Sequence, residues 1–414
     1  MESPEVRTLV VAELYPWPPV DGYRQRLHHI VGGLSQAGPL DVFAPLRDGG
    51  TEPVAPPWPG VARTLTVPMG DPAGPRSWIA DWSRSEVPRR LLSLDWSSSV
   101  DALERWRDRY DLIWYSHVDA WWPVHQLFDG VPAIVDFDNL ENLSMRLRRR
   151  IPPRIDQAAG PRERVAALAR WATSRAFDVI DERRWDSIQR RCADAVDHVV
   201  VCSDLDVERS GCANAVVVPN GAEAPEDPRT DRRELAGVAP SLLFVGALDY
   251  EPNTEAMSWF LRDVWPIVRR GRPEAELRVV GRGAEALGSS AEVDGVRMLG
   301  TVPDLRTELE RADVSIVPIR VGAGTRLKVI EALAHHLPLV TTTVGCEGID
   351  VMDGTHALVA DGAPGFAGAV LRLVADGGLR QRLADAGRVL FEERYAWSAI
   401  RDDVEALARR TVSP

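Results

Sequence analysis

The stretch Gly322-Ala-Gly-Thr-Arg-Leu-Lys-Val-Ile-Glu331 gathers two glycines, a hydroxyl, two cations and a carboxylate within ten positions. Lys328 is the only lysine in 414 residues; every other one of the 49 basic side chains is arginine. The glycines permit a tight loop, and the apolar spacing beyond Thr325 predicts a helix over 326–334 with Thr325 as its N-cap. The first N–H groups of a helix lack intrahelical partners and carry partial positive charge, so such a loop, with Arg326 and Lys328 in the first turn, is built to hold an anion. A compact ammonium on a flexible stem meets a phosphate differently from a planar guanidinium. Glu331 lies three residues beyond Lys328 on the same face, where its carboxylate can accept from both hydroxyls of a ribose. Charge-assisted hydrogen bonds of this kind contribute about 1.5–3 kcal/mol each, whereas a plain helical ion pair between Lys328 and Glu331 would contribute about 0.2–0.5 kcal/mol.

The elements that must position these residues follow from periodicity. Apolar runs at 7–13, 40–43, 111–115, 133–137, 198–201 and 216–219 read as buried strands, and 24–36 as a helix with Leu27, Ile30, Val31 and Leu34 on one face. Residues 47–75, rich in Pro and Gly, read as irregular, and 225–233 as a linker. Beyond it the alternation restarts, with strands at 241–245, 276–280, 296–299, 314–317, 337–342 and 357–359. Helices fit at 254–268, 305–310, 326–334, 365–374, 379–394 and 398–410. Alternating strands and helices in two blocks predict an α/β protein of two Rossmann-like, doubly wound domains facing a cleft, with ligands in the cleft. The expected divisions are 1–222, 237–395 and a terminal helix, 396–414, packing back on the first domain.

Composition narrows the function. A net charge of −12 speaks against a general nucleic-acid binder. There is no run of 18 apolar residues, and the first residues lack the basic and apolar regions of a secretion signal, so a cytoplasmic location is expected. Cys192, Cys202, Cys212 and Cys346 show neither CxxC spacing nor a disulfide framework. Residues 144–175 carry nine arginines against two acids. They read as a solvated face beside acidic helices, the sharper alternative being a surface for an anionic acceptor or for weak peripheral contact with membrane headgroups.

The sequence GAGTRLKVIEALAHHLPLVTTTVGCEGI resembles the donor-site signature of retaining GT-B glycosyltransferases of the family 4 type, in the branch written G-x-G-T-R-x-K-x-x-E-A. The likeness continues in LLFVGALDYEPNTEAMSWF, PEAELRVVGRG, LGTVPDL and VVVPNG, and more weakly in PWPPVDGYRQR, YSH and RYAW. The resemblance implies a metal-independent glycosyltransferase without cofactor. It would move a sugar from a nucleotide diphosphate sugar, UDP favoured over GDP or dTDP, to a hydroxyl or amine of a small-molecule, glycan or lipid-linked acceptor. By the same resemblance, Glu331 binds the ribose, and Arg326, Lys328 and His117 form the catalytic set. Gly22, Gly246, Asn253, Gly324 and Thr325 approach the donor, Thr301 and Val302 face its base, and Asp21, Arg26 and Asp138 lie on the acceptor side. Two positions depart from the pattern. Ala323 replaces the first glutamate of the E-x7-E motif, and Ala247 and Asn253 replace an arginine and a lysine, which leaves Arg326 and Lys328 as the main cations for the diphosphate.

Other features carry weaker readings. Gly281-Arg-Gly283 hints at a dinucleotide fingerprint but lacks its third glycine (Ala286). The acidic runs 136–141 and 249–251 read as polar groups and caps rather than a metal site, and His335-His336 as cations complementing a helix dipole. Tryptophans 78, 82, 96, 106, 114, 121 and 122 fit a core, or else a ring-bearing acceptor. The alternatives to transfer are a nucleotide-sugar epimerase, a non-catalytic binding protein of the same fold and, more distantly, an NAD-dependent oxidoreductase.

Overall fold

A computed structural model describes residues 5–46, 54–69, 78–106, 108–153, 160–237, 239–291 and 293–413. The chain divides into two compact units, Met1–Arg146 with Ser174–Asn220 and Trp397–Pro414, and Leu147–Thr173 with Gly221–Ala396. Each is built on one parallel sheet.

In the first unit the strands are β1 (Thr8–Val11), β2 (Leu40–Leu46), β3 (Val61–Pro68), β4 (Leu112–Tyr115), β5 (Ala133–Phe137), β6 (His198–Val201) and β7 (Ala215–Val217). They lie in the order β3-β2-β1-β4-β5-β6-β7. The second unit has β8 (Ser241–Val245), β9 (Glu276–Val280), β10 (Val296–Gly300), β11 (Val314–Val317), β12 (Leu339–Thr341) and β13 (Leu358–Val359), ordered β10-β9-β8-β11-β12-β13. Both sheets therefore run outward from their first strand and then reverse, the doubly wound order. The reversal lies between β1 and β4 in one and between β8 and β11 in the other.

The apolar runs become strands because both faces are covered. Leu9 and Val11 enter one core, and Val10 and Ala12 the opposite one. Leu242 and Phe244 face one side of the second sheet, and Leu243 and Val245 the other. Trp82, Trp96, Trp114 and Trp121 belong to the cores of the first unit. No helix of the described residues is long and apolar enough to cross a membrane.

Three expectations need correction. The stretch 47–75, read as irregular, contains β3, an edge strand whose exposed Ala62, Arg63 and Thr64 break the apolar pattern; it is held by its register with β2. The single helix expected over 254–268 is a helix (Glu251–Trp259), a π turn (Phe260–Val264) and a second helix (Trp265–Gly271). Pro266 opens that second helix; it cannot donate, and the wider turn before it removes the need. The supposed linker is anchored. Arg232 is fully buried and donates to the carbonyls of Ala312 (2.8 Å), His335 (2.9 Å) and His336 (2.9 Å).

The last of these contacts revises the histidines. Burial pushes His335 down to about 4, so it is neutral and lends no charge to the helix end. Arg232 supplies that charge instead. In the arginine-rich stretch, Arg146 pairs with Glu182 (2.9 Å) and Arg175 with Asp178 (3.1 Å), partners on the 35-residue helix Pro161–Ala195. Residues 154–159 of that stretch lie outside the described residues.

Candidate functional site

In a doubly wound sheet ligands bind beyond the carboxyl ends of the strands that flank the reversal. In the second unit those strands are β8 and β11, and the loops and first helical turns that leave them carry Gly246–Asn253 and Gly322–Lys328. The topology thus brings together residues about 75 positions apart. Lys328 Nζ donates to Asn253 Oδ1 (2.7 Å), and Asn253 Nδ2 donates to the carbonyl of Ala247 (2.8 Å). The ammonium also sits 4.4 Å above the ring of Phe244, the penultimate position of β8. Gly246 is required by space. A Cβ there would lie 2.7 Å from Lys328 Nζ and 2.8 Å from Asn253 Nδ2.

The helix begins at Leu327, with Arg326 at its N-cap and no side-chain cap. This corrects the expected boundary: Thr325 does not cap, and its hydroxyl is buried without a partner among the described residues. Arg326 is 9% exposed and folds back on its own loop, donating to the carbonyls of Gly322 (2.9 Å) and Gly324. Those glycines have φ of +143° and +78°, backbone that other residues rarely adopt, which turns their carbonyls onto the guanidinium. Lys328 makes no ion pair among the described residues, so the helical pairing with Glu331 is not formed. Burial lowers the lysine to about 7, helped by repulsion from Arg326 and opposed by Glu331. Burial raises the Glu331 carboxyl, against the pull of Lys328.

Thr301 and Val302 follow β10 directly, Thr301 exposed and Val302 partly buried. Gly281 and Gly283 answer a question left by the sequence: they are packing glycines. A Cβ at Gly281 would lie 2.1 Å from the carbonyl oxygen of Gly246, and one at Gly283 2.6 Å from the amide of Asp249. The loops after β8 and β9 are pressed together, and no third glycine is needed.

In the first unit the strands flanking the reversal are β1 and β4. Tyr23 Oη bonds Ser116 (2.7 Å) and accepts from the Glu13 amide (2.9 Å), tying the two loops together. Gly22 is the first residue of the helix Gly22–Ala37, and Asp21 is its N-cap, accepting from Arg24 N (2.9 Å). Arg26 departs from its expected acceptor role. It is 3% exposed and its donors are used on Asp136 (2.8 and 2.9 Å), Val218, Pro219 and Asn220. A guanidinium with all five N–H groups engaged has none left for a substrate.

His117, at the end of β4, caps the short helix Val118–Trp121 and is 3% exposed. Its Nδ1 lies 3.0 Å from Asp119 Oδ2. Burial by itself disfavours the imidazolium, but Asp119, with help from Asp138 and against Arg90, raises His117 to about 10. Nε2 stands 3.7 Å from Glu141 and 3.8 Å from Asp138. The sequence reading missed Arg90, which spans Glu13 (2.9 Å), Asp119 (2.5 Å) and Glu141 (2.9 Å). Nothing in its local pattern signals this, since its partners lie beyond the ends of three different strands, β1, β4 and β5. Glu13, His117 and Asp119 offer atoms within 4.8 Å of one another, enough for a cation, but the guanidinium of Arg90 already supplies positive charge to both carboxylates.

Residues 239–376 match the family described as Glycosyl transferases group 1, and this stretch is a domain of that kind. The chain is 31% identical over 202 residues to glycogen synthase of Mycobacterium tuberculosis, a stretch covering 46% of this chain and 47% of the relative. It therefore spans about half the length of the curated relatives it matches. Over 130 residues it is 25% identical to an uncharacterized 44.6 kDa protein in the cps region of Klebsiella pneumoniae, covering 29% of this chain and 34% of that one. In fold it is similar to sucrose-phosphate synthase from Thermosynechococcus elongatus (TM-score 0.67, 18% identity, 98% and 99% of the two chains). It is also similar to Anabaena Alr3699/HepE in complex with UDP and glucose (TM-score 0.62, 10% identity, 97% and 99%). The fold is α/β with two Rossmann-like parallel-sheet domains, the GT-B type.

Proposed function

We propose that the chain is a retaining glycosyltransferase that moves a sugar from a nucleotide diphosphate sugar, UDP-sugar before GDP- or dTDP-sugar, to an acceptor hydroxyl or amine. The observation that carries this reading is Lys328, a half-buried ammonium at the reversal of the second sheet that, among the described residues, bonds a neutral amide and covers an aromatic face with no carboxylate paired to it. A diphosphate at that position restores the lysine's full charge and gains a charge-assisted hydrogen bond. The group 1 domain covering this site, and the UDP in the complex of Anabaena HepE, support the choice of donor.

In the proposed reaction the bond between the anomeric carbon and the β-phosphate oxygen breaks, and the electron pair leaves with the nucleoside diphosphate. The acceptor oxygen or nitrogen forms the new bond to that carbon on the face the phosphate leaves, and its proton passes to the departing phosphate. Negative charge builds on the β-phosphate, so Lys328 and the N–H groups of the Leu327–Ala334 helix bind the transition state more tightly than the ground state. Glu331 holds the ribose. Arg326 shapes the loop and adds a positive field, and these cations take the part a metal plays elsewhere. Ala323 leaves the sugar subsite without a carboxylate.

Thermal melts with UDP, GDP, dTDP and their sugars test the reading. Binding at a hundredfold excess over Kd stabilises the folded state by about 2.7 kcal/mol. No shift with any nucleotide would defeat it. NMR of the sugar product reports retention, and donor isomerisation without an acceptor would indicate an epimerase instead.

A further inference from the structure

We propose that one face of the helix Pro161–Ala195 is a docking surface for an anionic lipid bilayer, its apolar stripe lying among the headgroups and its arginines meeting their phosphates. In a transferase this would bring the chain to a lipid-linked acceptor, but the surface itself does not depend on the transferase reading.

At about 100° per residue, Val165, Leu168, Ala172, Ala176, Val179 and Ile180 project within about 120° of one another, a stripe about 22 Å long. All six are exposed, Val165, Leu168, Val179 and Ile180 by 66, 45, 40 and 43%. Those four belong to ten large apolar side chains exposed among the described residues, so the exposure is gathered on this helix rather than scattered singly. The core does not account for the stripe. Asp178, Asp181, Trp185, Ile188 and Cys192, all buried, project to the opposite side of the helix.

Charge selects the occupant. Arg162 and Arg183 close the two ends of the stripe and Arg170 stands to one side, all exposed and none in an ion pair among the described residues. The carboxylates of the same span are engaged or buried: Glu163 accepts from the Gly160 amide (2.9 Å), Asp178 and Asp181 are buried, and Glu182 pairs with Arg146 (2.9 Å). An apolar stripe edged by arginine without acid is the pattern of a helix lying in a membrane interface. A second copy fits it poorly. Antiparallel pairing centred between Ala172 and Thr173 sets Arg162 against Arg183, and parallel pairing sets each arginine against itself. A protein partner would seek an aromatic anchor or hydrogen-bonding groups within the stripe. The aromatics of this stretch are used elsewhere, Trp171 donating to the Ile151 carbonyl (2.9 Å) and Phe177 meeting Trp82 edge-on at 4.8 Å. The net charge of −12 is screened beyond about 8 Å at physiological salt, so the charges at the contact decide.

The test sediments the full chain with sucrose-loaded vesicles of POPC alone, or of POPC and POPG in equal parts. At low salt the chain is expected to pellet with the POPG vesicles, to stay largely in solution with POPC, and to be released as salt rises. The double variant Arg162→Ser/Arg183→Ser should lower the partition coefficient about 25-fold, about fivefold for each arginine at an anionic surface. Leu168→Asp/Ile180→Asp should lower it about tenfold or more. All four positions are exposed, so Tm should stay with the parent's; if the aspartate pair melts lower, the serine pair and the salt series decide. No pelleting with POPG vesicles, equal pelleting with both kinds, or a serine pair within twofold of the parent would overturn the proposal. So would a dimer in sedimentation velocity that Leu168→Asp dissolves, which would give the face to a second copy. Nucleotide melts on the same samples separate the two claims. Vesicle binding without nucleotide shifts sinks only the donor reading, and nucleotide shifts without vesicle binding sink only the lipid surface.

Discussion

Lys328 shows how its surroundings alter an apparently ordinary cation. Its burial against Phe244 and its nearness to Arg326 lower it to about 7, so near neutral pH the free protein carries it half protonated. In the unfolded chain the same lysine titrates near 10.4. Unfolding therefore takes up a proton between about pH 7 and 10.4, and this residue's contribution makes the protein more stable as pH rises through that window. Lys328→Met should remove that slope and leave Tm at pH 7 no lower than that of the parent, while weakening nucleotide binding by about 10- to 150-fold, the equivalent of one charged hydrogen bond. Tm measured against pH, with and without UDP, checks both. The residue was legible from its type and its address. Its partners were not, because Asn253 and Phe244 meet it only after β8 and β11 become neighbours.

At the scale of elements, loop packing and helix ends decide the geometry of the site. Gly281 has φ of +140°, and a Cβ on it would meet the Gly246 carbonyl at 2.1 Å. Gly281→Ala should cost about 2 kcal/mol or more and displace the loop that carries Ala247 and Asn253, lowering nucleotide affinity together with Tm. Arg232 ends the Leu327–Ala334 helix from outside it. Arg232→Met would leave three carbonyls without this donor, each worth about 1–3 kcal/mol, so a loss of several kcal/mol in unfolding free energy is expected, read as a lower denaturant midpoint with unfolding still cooperative. Most strands were readable because parallel strands buried on both faces are continuous apolar runs. β3 was not, since an edge strand is held by the backbone of β2 rather than by its own apolar pattern. Arg232 was misread for a related reason. A charged residue in a Pro- and Asp-rich stretch has the composition of a solvated linker, and only the carbonyls it meets show otherwise.

At the scale of the whole molecule, the last helix belongs to the first unit. Trp397–Val412 packs on Gly22–Ala37, burying Trp397, Ile400, Val404 and Leu407, and a Cβ at Gly33 would lie 2.6 Å from the Arg401 carbonyl. Burying such side chains stabilises by about 1.5–3 kcal/mol each, so a chain ending at Ala396 should melt earlier and be cut faster by protease within the first unit. His29 stacks on Trp397 at 4.4 Å and is lowered by burial, His28 and Arg401 to about 2. Its unfolded form titrates near 6.5, so the stability held above that pH is lost progressively as pH falls below it. His29→Gln should flatten this acid limb, followed as Tm from pH 7 to 4. The alternation of strands and helices in two blocks, the switch to helices near the end, and the glycine-rich loop before the Leu327–Ala334 helix were set by local periodicity and residue type, which depend on near neighbours. The Arg90 hub, the full engagement of Arg26 and the packing role of Gly281 were decided by strand order. Parallel crossovers bring the ends of β1 and β4, and separately of β8 and β11, side by side across the reversal of each sheet, from more than sixty positions apart. No local pattern records those distances.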